Sequence, residues 1–101
     1  MPTKAALKGE VIAESDDIVH GYDIVHGRSY AYFPPAHVRL DRLEKAPRTE
    51  SDLACPHGVQ FYDVIVGGTR HERAAWVYEA PQGDLTPVAG RVGFWKDVEV
   101  G

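Results

Sequence analysis

The chain of 101 residues has one cysteine, one methionine, no basic run longer than two residues and no apolar run approaching the 18 residues of a membrane span. Each absence excludes something. A lone Cys55 cannot close an internal disulfide, so a soluble, reducing compartment, the cytoplasm, is the simplest reading. The first residues carry no signal-peptide core. With no Cys-x-x-Cys, the close-spaced ligand pairs of a structural zinc site are missing. No Gly-x-Ser-x-Gly elbow occurs, and Gly67-Gly68 lacks the Lys-Ser/Thr and following helix of a phosphate loop. Lys plus Arg number 11 against 15 Asp plus Glu, and the net charge of −4 disfavours a phosphate-backbone partner. Nucleic acid, membrane, metal and other cofactors are therefore not expected.

What is present supports one small core. Hydrophobic residues make up 44% of the chain, which argues against disorder. The length gives residues 1–101 room for a single domain. Turn signals arrive every eight to twelve residues between short runs rich in Val, Ile, Tyr and Trp, the rhythm of antiparallel β-structure. Lys8-Gly9-Glu10 reads as a link between strands, the second covering Val11 to Glu14. Phe61 to Val66, Gly67-Gly68 and Ala74 to Tyr78 read as a hairpin. Gly90 precedes a last strand, Arg91 to Trp95. The segment Ala36 to Lys45, after Pro34-Pro35, has the spacing of one short helix, and Arg48 to Asp52 reads as an exposed loop. The fold class expected is mainly β with one short helix.

Asp17-Ile18-Val19-His20-Gly21 recurs as Asp23-Ile24-Val25-His26-Gly27. On one continuous strand His20 and His26 would lie roughly 20 Å apart; with a turn at Gly21-Tyr22 they would sit at opposite ends of a hairpin. Neither arrangement makes a metal site, and a local duplication lengthening a strand or hairpin is the plainer reading. His37 and His71 read as solvated.

Two constellations carry chemistry. Cys55-Pro56-His57-Gly58 joins a thiol and an imidazole through a turn. A nucleophilic Cys55 with His57 as its base, oriented by Asp52, Asp63 or Glu50, defines an enzyme reading. Against it, residues around a proline need not face each other, and the neighbourhood is acidic. The aromatic residues define the other reading. Tyr32, Cys55, Tyr62, Trp76 and Tyr78 are candidates to line a cleft for a small-molecule ligand, although the same rings serve equally as core. The balance favours a binding module over an enzyme. An exposed edge strand offers a route to a homodimer.

The series Ala13-Glu14-Ser15-Asp16-Asp17, Tyr32-Phe33-Pro34-Pro35, Cys55-Pro56, Phe61-Tyr62-Asp63-Val64, Ala74-Ala75-Trp76-Val77-Tyr78-Glu79-Ala80-Pro81 and Gly90-Arg91-Val92-Gly93-Phe94-Trp95 resembles, in order and spacing, the bacterial domain of unknown function family 427. The likeness runs from about Leu7 to Val100. It implies a small antiparallel β-tent-like fold of sheets leaning together over a cleft, and a nucleotidyltransferase-like label attaches to the family. Metal-dependent transfer needs clustered carboxylates, whereas Asp16 and Asp17 would point to opposite faces of a strand. The family usually reads Cys-Pro-x-Lys-Gly where this chain has His57 followed directly by Gly58. If the missing lysine holds an anion, His57 or Arg28 is the replacement this sequence offers. The second copy of the repeat looks like an insertion of about six residues.

Overall fold

The computed structural model describes residues 2–23 and 27–101. The expected link at Lys8-Gly9 joins β1 (Thr3–Leu7) to β2 (Glu10–Ser15), and both linking residues take positive φ, 50° and 84°. The register of this pair shifts between Ala5↔Ala13 and Ala6↔Val11, leaving Ile12 as the extra residue of a bulge. The bulge is why Ile12 and Ala13, neighbours in sequence, are both buried. At the far end of the chain β9 (Glu99–Val100) pairs with β1, completing a three-stranded antiparallel sheet in the order β2-β1-β9. Lys4 and Gly101 exchange backbone hydrogen bonds of 3.1 and 2.9 Å beside that pair.

A second, six-stranded antiparallel sheet runs β3 (Val19–Asp23), β4 (Arg28–Phe33), β8 (Val92–Phe94), β7 (Thr69–Tyr78), β6 (Val59–Val66) and β5 (Leu43–Lys45). Gly67 and Gly68, at φ 59° and 78°, make the β6–β7 hairpin turn expected from the sequence. β3 continues unbroken through Gly21-Tyr22, so no turn forms there. The second copy of the repeat falls largely on residues 24–26, outside the described residues.

Both faces of the larger sheet are covered. One face meets the three-stranded sheet across Leu7, Ile12, Phe33, Val64, Ala75, Val92, Phe94 and Val98. The other carries Tyr32, Val59 and Trp76 beneath a 3-10 helix, Gly83–Val88, whose Val88 is buried. Strand alternation accounts for the sorting: Tyr32 and Phe33 go to opposite faces, as do Trp76 and Ala75.

The helix expected over Ala36 to Lys45 does not form. That segment holds two 3-10 turns, Pro35–His37 and Leu40–Arg42, and then β5. Its backbone is recruited elsewhere: Val38 bridges Ala13, Arg39 N–H donates to the Ile12 carbonyl, and Leu43 pairs with Val64. Val38 is buried and Leu43 packs against the core, but Leu40, which a helix would set beside Leu43, stays exposed. The α-helix found among the described residues, α1 (Glu50–Leu53), lies in the stretch read as a loop. Thr49 and Asp52 nucleate it through a reciprocal capping box.

Candidate functional site

β4 and β8 pair over only two positions, Tyr32↔Gly93 and Phe33↔Val92. Continued, the same register would set Ala31 against Phe94 and Tyr30 against Trp95. Instead the strands part, and these four residues line a cavity of about 320 Å³. His20 of β3, Arg28 and Ser29 of β4, and Lys96, Val98 and Val100 complete its described lining. The chain leaves β8 at Lys96, which takes a positive φ of 60°, and crosses to β9 in the smaller sheet. The cavity therefore lies at the seam between the two sheets.

Its chemistry differs from that of the molecule as a whole. Arg28, Lys96 and His20 are among its lining residues, and no Asp or Glu is among the described ones, in a chain of net charge −4. The Arg28 guanidinium stands 6.0 Å from the Tyr30 ring centre and the Lys96 ammonium 5.3 Å from that of Trp95. Behind these walls sits an aromatic cluster. Trp76 meets Tyr30 edge-on at 4.9 Å and Trp95 at 5.8 Å, and Tyr32 meets Trp76 at 5.9 Å.

The structure divides the aromatic residues singled out in the sequence. Tyr32, Trp76 and Tyr78 gather on the outer face of the larger sheet, with Cys55 packed at the margin. Tyr62 packs against the opposite face, between the sheets, with its phenol pKa raised by burial and by Glu79. Tyr32 and Trp76 are 1% and 5% exposed, so they back the cavity from within the core. Tyr30, Trp95, Arg28, Lys96 and His20 form its wall instead. Of the two replacements offered for the family's lysine, Arg28 lines the cavity.

His57 lies outside the described lining of the cavity. The Cys55–Gly58 turn is closed by a 3.2 Å bond from Gly58 N–H to the Cys55 carbonyl, with Gly58 at φ 66°. His57 Nδ1 accepts from Gln82 N–H at 3.0 Å, and its ring packs on Tyr78 at 5.4 Å. The turn thus tethers the segment after β7. Two of the three carboxylates offered to orient His57, Asp52 and Asp63, have arginine partners. Both Asp52 oxygens accept from Arg73, at 3.0 and 2.8 Å. Asp63 accepts from Arg70 at 2.6 Å and from Arg73 N–H at 3.0 Å. The Arg73 hydrogen bonds outweigh burial in holding Asp52 below the ordinary carboxylate pKa. For Asp63 burial pushes upward most strongly, but the Arg73 N–H and Arg70 together bring the net shift down. Groups of three or more His, Cys, Asp or Glu placed to hold a metal ion are absent among the described residues.

Fold and site together define a small two-sheet antiparallel β protein with a basic, aromatic-walled cavity at the seam. The chain belongs to the domain of unknown function family DUF427, whose model matches residues 2–100. No curated protein matches it.

Proposed function

We propose that this protein binds a small organic anion in the seam cavity, with the acidic group between Arg28, His20 and Lys96 and the apolar body against Tyr30 and Trp95. One observation carries the reading: a cavity near the lower size limit of small-ligand sites collects the cationic residues Arg28 and Lys96, a histidine and two aromatic residues in an acidic chain. Placing cations in a concave site costs electrostatic free energy that an anion relieves, and low-dielectric walls strengthen the attraction. The buried Tyr32–Trp76 cluster is the rigid support of that wall. Edge-on ring packing fixes Tyr30 and Trp95 before a ligand arrives, which limits the ordering cost of binding.

Thermal unfolding with phenyl phosphate, benzoate, inorganic phosphate and the neutral analogue benzamide tests the proposal. The aromatic anions should stabilise the protein and benzamide should not. At ten times Kd the gain is about 1.4 kcal/mol, a rise of roughly 5–10 °C in Tm for a chain of this size. Arg28→Gln should abolish the shift while leaving the unliganded Tm within a few degrees. No shift with any anion, or an equal shift in Arg28→Gln, refutes the reading.

A further inference from the structure

The β6–β7 ladder slips where Tyr62↔Ala75 gives way to Val64↔His71, so Glu72, Arg73 and Ala74 stand opposite the single residue Asp63. At the centre of this bulge Arg73 adopts φ 55°, a left-handed conformation that is costly for a residue with a side chain. Several contacts hold it there. Its backbone N–H donates to Asp63, its guanidinium forms the two-bond pair with Asp52, and that group lies 3.9 Å over the Phe61 ring.

The effect on the carbonyls matters most. Along a regular strand successive carbonyls point to opposite neighbours. Here three in succession serve one segment: the Glu72 carbonyl accepts from Lys96 Nζ at 3.1 Å, Arg73's from Trp95 Nε1, and Ala74's from Trp95 N–H at 3.0 Å. Trp95 and Lys96 are the aromatic and cationic parts of one cavity wall.

We infer that Arg73 is a positioning residue for the anion site: locked by Asp52 and Asp63, its strained bulge aims the carbonyls that seat Trp95 and Lys96. This rests on the proposed reading of the cavity. It adds that anion affinity is set by a residue outside the described lining, through a link to Asp52 of α1. Phe61 joins the two, since its ring stacks under Arg73 and lies 6.2 Å from that of Trp95.

The chain has two tryptophans, so an amide correlation spectrum of 15N-labelled protein shows two indole N–H signals, which Trp95→Phe assigns. Arg73→Gly keeps the left-handed backbone accessible and removes the guanidinium. It should move the Trp95 signal and weaken phenyl phosphate binding at least tenfold, with the Trp76 signal, whose ring packs on Trp95, moving less. Arg42→Gln, which breaks the 3.1 Å ion pair with Glu10, should change neither affinity nor the Trp95 signal. If Arg73→Gly does not fold, Asp52→Asn supplies the same two readouts. An unmoved Trp95 signal, or affinity within twofold of the parent, overturns the inference. Should the parent protein bind none of the anions, the functional reading fails by itself, and the Trp95 signal alone decides whether Arg73 holds that wall.

Discussion

Gly93 has no room for a methyl group. A Cβ there would lie 2.8 and 2.9 Å from the Trp76 ring and 3.1 Å from Tyr32, close to the centre of the outer-face core. Neither ring can yield easily, because Trp76 is hemmed in by Tyr30 and Trp95. Gly93→Ala should therefore cost about 1–3 kcal/mol by overpacking, read as a lower urea midpoint at unchanged slope. It should also disturb the cavity wall, since Trp76 can move only towards residues that form it. At this scale the sequence was partly transparent. The side-by-side placement of Trp76 and Tyr78 follows from period-two alternation, and the Cys55–Gly58 turn from its proline and glycine. The grouping of Tyr62 with Trp76 fails on strand pairing: Trp76 stands opposite Phe61, and Tyr62, one position on, alternates to the other face with Ala75. Nothing local marked Arg73 as left-handed either; its φ is maintained by Asp52, 21 positions away.

Between elements, the Asp52–Arg73 pair ties α1 to the β7 bulge, and its protonation behaviour gives a second test. Both Asp52 and Asp63 have pKa values in the folded state below the ordinary 3.8. Their contribution is thus complete well above 3.8 and is lost as pH falls through the lowered values of the folded state. Stability measured by urea unfolding should be nearly flat from pH 7 to 5 and fall steeply below about pH 4. Asp52→Asn should lower stability at pH 7 by about 1.5–3 kcal/mol, the usual worth of hydrogen bonds to a charged group, and make the acid limb shallower. A mutant limb as steep as the parent's would mean that other carboxylates govern it. The β6–β7 hairpin was legible because glycine at both turn positions is a local signal. The segment 36–45 was not: its apolar spacing fits a helix, but backbone pairing with β2 and β6 wins. The four-residue α1 is too short to leave any periodicity, and only its capping box marks it.

For the molecule as a whole, the antiparallel architecture was readable from turn spacing and a cleft was implied by the family resemblance, while the lining of the seam cavity was not legible. It arises from residues near position 30 meeting residues near position 95, and no pattern within either segment announces the encounter. That wall ends in β9, whose two residues pair with Ala5 and Ala6. Val100 and Ala5 are separated by 95 positions (100 − 5), so the pairing closes a loop nearly as long as the chain. In the folded molecule β9 is tethered through β8, and the clasp consists of only two paired residues, both exposed, and the Lys4–Gly101 bonds beside them. The β9 clasp should therefore open by itself more often than the molecule unfolds. Hydrogen exchange should show it: the Lys4 and Gly101 amides should exchange well before those of β6 and β7, which are paired along most of their length. Because Val98 and Val100 line the cavity, opening the clasp would also widen the site. A ligand would then gain a second, broader way in whenever the first and last strands, β1 and β9, let go of each other. A bound anion should slow exchange at those two amides and leave the hairpin amides unchanged.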